Sequence, residues 1–115
     1  MPVLRNARTG ETLATDLRTA RSFWQKFRGL MARPPLPEGG GLHITDCQSI
    51  HSAFMRFPFD AAFLDKQGVV VHVIHAMRAW RASRFVWKAS GVVELPAGVL
   101  LGTGTQVGDT LLFEG

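Results

Sequence analysis

Cys47, His51 and Met55 stand four and four residues apart, and no other spacing in this 115-residue chain suits chemistry better. Residues an even number apart share one face of a strand, and residues four apart are neighbours on a helix, so either backbone brings them together. A histidine beside a thiol can hold it as a thiolate nucleophile, whereas sulfur with imidazole suits a soft metal such as Cu(I). Cys47 and His51 are therefore the candidate catalytic pair, joined by Met55 in the metal reading. The competing and commoner role of such residues is structural: Cys and Met pack in cores, and His51 is then a satisfied structural histidine.

A second group is Arg56, Asp60 and Glu94. An acid within an otherwise apolar strand belongs at an end, in a pair or in a pocket, because an unpaired buried carboxylate is costly. Two carboxylates near one arginine can hold an anionic ligand or do acid–base work. The structural alternative has Asp60 or Glu94 accepting backbone N–H groups at a loop while Arg56 closes an ion pair.

The third group is Arg78, Trp80, Arg81, Arg84, Phe85, Trp87 and Lys88, four basic residues interleaved with three aromatics. Ring faces can stack on bases while Arg and Lys meet phosphates, as in single-strand binders. A plainer reading is a long loop whose rings fold back onto the core while its charges stay wet. His72 and His75, three apart in a strand, point to opposite faces and cannot share a metal there. The run Gly102 to Gly108 is one residue too long for a dinucleotide fingerprint, and neither a phosphate-binding loop nor a zinc-type cysteine pair occurs. No cofactor and no resident metal are expected.

The elements that must carry these groups are mostly strands. Val3 to Leu13 holds one or two short strands about the turn Ala7-Arg8-Thr9-Gly10. Ala20, Phe23, Trp24, Phe27, Leu30 and Met31 form one apolar helical stripe, with Thr19 as N-cap. That predicts an amphipathic helix from about Thr19 to Phe27, ended by Gly29 and by the prolines at 34, 35 and 37. Leu42 to Ile44 reads as a strand, and Asp60 to Leu64 with Val69 to Ile74 as a hairpin about Asp65-Lys66-Gln67-Gly68. Gly91 to Leu95 is a further strand stopped by Pro96, Ala97 to Thr103 a helical turn, and Thr110 to Phe113 the last strand after Gly108-Asp109.

The length fits one domain, residues 1–115, and the 46% hydrophobic and 19% charged fractions are ordinary for a globular protein. A lone cysteine, no signal-peptide pattern and no apolar run of membrane length predict a soluble cytoplasmic protein without a membrane partner. The net charge of +4 favours anionic partners.

Three segments, Arg28 to Arg33, Cys47 to Asp65 and Val93 to Gly98, occur in an order and spacing that resemble the domain-of-unknown-function 192 family. Gly108-Asp109 completes the set, and the resemblance runs from about Leu13 to Phe113. It implies a small β-dominated domain of bacteria and archaea with no established activity. Many members carry Trp-Met-Lys-Asn where this chain has Phe54-Met55-Arg56-Phe57, which resembles the branch that pairs a Cys and a His ahead of Met-Arg-Phe. A Thr often follows the His there; Ser52 keeps the hydroxyl. The resemblance carries over no catalytic residue.

These readings predict a mostly β domain, a small barrel- or sandwich-like antiparallel sheet with one amphipathic helix near residues 19–27. The leading functional expectation is a binding or accessory module whose polar pocket of His51, Arg56, Asp60 and Glu94 holds an anionic small molecule or partner. The alternatives are a thiol enzyme or soft-metal site at Cys47, His51 and Met55, and single-stranded nucleic-acid binding through residues 78–88.

Overall fold

The computed structural model describes residues 2–20, 36–52 and 57–115. Among these the chain forms β1 (Val3–Asn6), β2 (Thr12–Ala14), β3 (Asp16–Ala20), β4 (Gly40–Thr45), β5 (Phe59–Leu64), β6 (Val70–Met77), β7 (Gly91–Pro96), the one-turn helix α1 (Val99–Gly102) and β8 (Leu111–Glu114). They make two sheets, a three-stranded one in the order β2-β1-β8 and a five-stranded one in the order β3-β4-β7-β5-β6.

The sheets pack face to face. Leu4, Leu13 and Leu111 of the smaller sheet meet Leu64, Val93 and Leu95 of the larger one. The opposite face of the larger sheet, with Ile44, Phe59, Phe63 and Val92, is covered by Ile50, Val86 and Ala89 from the connecting segments. Every residue of β5, and all of β7 except Pro96, is consequently buried. Strands covered on both faces read as continuous apolar runs, which is why these two are so plain in the sequence.

Short hydrogen-bonded corners join the sheets. Val70 and Asp109 share one, with the Val70 N–H donating to the Asp109 carbonyl at 2.8 Å, and Leu17 donates to the Pro2 carbonyl at 2.9 Å. An isolated antiparallel bridge between Val69 and Thr110 adds to these corners, but the described strands remain two separate sheets, so the fold is a sandwich and not a closed barrel. The β5–β6 turn is set by Asp65, whose Oδ1 accepts the N–H groups of Gln67 and Val69 at 2.9 Å. Gly68 there has φ of 82°, and a Cβ on it would lie 2.9 Å from the Leu111 carbonyl oxygen, so both conformation and space demand glycine.

Two expectations need correction. The larger sheet is mixed, because β3 runs parallel to β4 with Thr19 opposite His43 and Ala20 opposite Ile44. Thr19 and Ala20 are thus strand residues and not the start of a helix. Their backbone is claimed by a strand more than twenty residues ahead, which no local periodicity reveals. The rest of the predicted helix, positions 21–27, lies outside the described residues. No helix among the described residues is long and apolar enough to cross a membrane. The radius of gyration, 12.5 Å, is near the ~13 Å of a compact unit of this length.

Candidate functional site

Glu94 lies on β7, the middle strand of the larger sheet, opposite Leu42 on one neighbour and Ala61 on the other. Residues directly opposite in a sheet share a face, so Glu94 projects from the side covered by the connecting segments. It is 4% exposed, and its Oε1 has no hydrogen-bond partner among the described residues. Burial in these apolar surroundings pushes its pKa from 4.5 up to about 8. At neutral pH it is mainly an uncharged carboxylic acid.

Asp60 precedes Ala61 on β5 and therefore projects to the other face of the same sheet. It is fully buried and fully committed. Its Oδ1 accepts the N–H of Ala76 at 2.8 Å, and its Oδ2 accepts those of Gly98 and Leu100 at 3.0 Å. Ala76 has φ of 49°, beside the register shift between Phe59 and Ala61, so Asp60 fixes a bulge in β6 and the entry to α1 together. The structure does not bring the two carboxyls into one pocket. Arg56 and Met55 lie outside the described residues.

Cys47 is partly buried against the loop-covered core, and its Sγ donates to the Ser49 carbonyl at 3.1 Å. That bond uses the proton a thiolate nucleophile would lack. His51 is exposed and stands opposite Ala82 in an antiparallel bridge. Among the described residues, no three His, Cys, Asp or Glu side chains group as a metal site.

The bridge at His51 belongs to a longer ribbon. Val86 donates to the Gln48 carbonyl at 2.7 Å, Ser83 to Ile50 at 2.8 Å and Ser52 to Arg81 at 2.8 Å, while Trp80 donates to Ser52 at 3.1 Å. The buried hydroxyl of Ser52 accepts the Arg81 N–H at 2.8 Å and donates to the Arg78 carbonyl. The sequence alone offers no signal for this role, because the partners of Ser52 lie 26 to 29 residues away.

Pinned in this way, the 78–88 segment buries Val86 and packs Ala79 partly against the same core, with Ala89 just beyond it. Trp80, Phe85 and Trp87 are 63%, 64% and 72% exposed, so the expected folding of these rings onto the core does not occur. Arg78, Arg81, Arg84 and Lys88 are exposed beside them, and Lys88 Nζ sits 5.5 Å from the centre of the Trp87 ring. No acid interrupts the segment. It holds four of the chain's thirteen Lys and Arg, and the other nine are matched by nine Asp and Glu, so its charge equals the whole formal excess of +4. His72 on β6 has its pKa lowered first by burial and then by the charge of Arg84.

Comparison with known proteins gives a family and a fold. The family model DUF192, an uncharacterised ACR, matches residues 4–113. A UPF0127 protein of Pyrococcus furiosus is 31% identical over 113 residues, spanning 92% of this chain and 93% of its own. A UPF0127 protein of Thermococcus sibiricus is 31% identical over 120 residues, 97% of this chain and 75% of its own. A crystal structure of a protein of unknown function from Novosphingobium aromaticivorans superposes with a TM-score of 0.84 at 18% identity, over 97% of this chain and 84% of that one. A proposed transcription regulator of Sinorhizobium meliloti gives 0.77 at 22% identity, over 97% and 91%. At such identities the likeness to the solved structures is one of fold.

Proposed function

The chain belongs to the DUF192 family, and from that premise we propose that it is a small binding module whose anionic partner docks on the exposed face of the 78–88 ribbon. One observation carries this reading: four cations without an acid among them stand on a backbone tied down by the 48–52 segment. Outside that segment the formal charges cancel, so long-range attraction for an anion is directed to this face. A binding role needs no reacting group, and it agrees with the commitment of Asp60 to backbone donors and of the Cys47 thiol to Ser49. It moves the anion from a pocket holding Asp60 and Glu94 to a surface.

Retention on immobilised heparin at low ionic strength tests this. The wild-type chain is expected to bind, and Arg81→Glu with Arg84→Glu to elute with little retention, because reversing two charges takes the four-cation segment from +4 to 0 at one exposed place. Lys66→Glu, in the exposed β5–β6 turn, is expected to shift elution far less. If the ribbon variant elutes with the wild type, the partner docks elsewhere or is not anionic.

A further inference from the structure

We propose that the partner is single-stranded nucleic acid, with bases stacked on Trp80, Phe85 and Trp87 and phosphates met by Arg78, Arg81, Arg84 and Lys88. This rests on the anion-docking reading and narrows it. A polyanion alone calls for cations; it does not call for three rings. Aromatic side chains carry ~150–250 Å² each and are ordinarily drawn into a core or an interface. Here three within eight residues are each more than 60% exposed, although the backbone beside them already delivers Val86 to the core.

The rings are also held ready. The ladder to Gln48, Ile50 and Ser52 fixes the backbone between Trp80 and Val86, so little chain entropy remains to be lost on binding. Trp80 is kept at φ of 60°, the left-handed region that costs a non-glycine residue energy, by a backbone built around the Ser52 carbonyl and hydroxyl.

The arrangement of charge and ring separates nucleic acid from a lipid surface. Arg81 and Arg84 fall between Trp80 and Phe85, and Lys88 lies against the Trp87 ring, so cations stand among the aromatics. An interfacial anchor instead sinks a continuous apolar face into the acyl boundary and leaves its cations on the opposite polar face. A single strand offers base faces and phosphates in turn, which matches the interleaving here. Three of the four cations are Arg, whose planar fork suits phosphate oxygens and whose face stacks on rings and bases. In a duplex the base faces are already stacked on one another, so only the phosphate part of the recognition survives.

The test is fluorescence anisotropy of a labelled oligothymidylate of about 15 nucleotides, titrated with the full chain at low salt. Binding is expected, with a duplex of equal length bound more weakly. Trp80→Ala with Trp87→Ala is expected to weaken the single-strand complex by about tenfold or more. Arg81→Ala with Arg84→Ala should weaken it and lower the slope of log affinity on log salt by about 1 to 2. All of these side chains are exposed, so circular dichroism should show the fold retained; Trp87→Ala alone serves if the double variant does not fold. Heparin retention without oligonucleotide binding, or oligonucleotide binding indifferent to the rings, overturns the inference and leaves the anion reading standing. Binding to vesicles containing phosphatidylglycerol but not to the oligonucleotide overturns it in favour of a membrane. Failure to bind both heparin and oligonucleotide ends both readings.

Discussion

Asp60 and Glu94 are both carboxyls buried in the larger sheet, and what differs is the company each keeps. Asp60 has three backbone donors, whereas Glu94 has apolar neighbours and an Oε1 without a partner among the described residues. The second arrangement favours the protonated form, and its pKa rises from 4.5 to about 8. A group that binds its proton more tightly when folded stabilises the fold most below its unfolded pKa and less as pH climbs through the folded one. The contribution of Glu94 is therefore full below pH 4.5 and lost progressively toward pH 8. Relative to Glu94→Gln, which cannot ionise, the wild type should lose stability on the order of 4 kcal/mol across that window. Urea unfolding at several pH values measures this, and a difference between the two proteins that does not change with pH would show that Glu94 holds no such proton.

At the scale of elements, Asp60 ties three pieces of chain together: β5, the bulge of β6 at Ala76 and the entry to α1. Asp60→Ala leaves three N–H groups without their acceptor, that of Leu100 buried and those of Ala76 and Gly98 partly so, and should cost about 3 kcal/mol. The denaturation midpoint should fall with the slope unchanged; a loss under 1 kcal/mol, roughly one ordinary hydrogen bond, would mean that water replaces the carboxylate. The types of Asp60 and Glu94 are visible in the sequence, and so is the choice between a pocket and a loop acceptor. Their separation onto two faces is not, because it depends on the register that sets Ala61 against Glu94. The same contrast runs through the fold. The β5–β6 hairpin, β7 with its Pro96 stop and the turn before β8 are legible because local chemistry, an Asx turn, a glycine or a proline, sets each boundary. β3 is hidden because its five residues are made a strand by parallel pairing with β4, and the 78–88 ribbon is hidden because its order comes from Ser52 and its neighbours.

Across the whole molecule, the first turn and the last one are locked by a polar cluster that has no part in the proposed site. Arg8 grips Asp109 with Nε at 2.6 Å and Nη2 at 3.0 Å, and Asn6 Nδ2 and the Gln106 N–H both reach Asp109 Oδ2 at 2.9 Å. The hydrogen bonds from Arg8, with those from Asn6 and Gln106, hold the Asp109 carboxyl well below the usual carboxylate range. A group with a depressed folded pKa gives its stability above the unfolded value, here 3.8, and loses it as pH falls further. Asp109 thus penalises acid and Glu94 penalises base. His72, whose pKa burial lowers, favours the fold as pH rises toward 6.5, and its partial exposure keeps that contribution below the one from Glu94. Together they place maximal stability on the acid side of neutrality, where Asp109 is already ionised and Glu94 still holds its proton, far from the pI of 10.2 at which net charge vanishes. Melting temperatures from about pH 2 to about pH 9 should trace a dome with both limbs. Asp109→Asn should flatten the acid limb, and Glu94→Gln should flatten the alkaline limb and move the maximum upward. An optimum at neutral pH that Glu94→Gln leaves in place would mean that the two buried acids do not govern how this fold responds to protons.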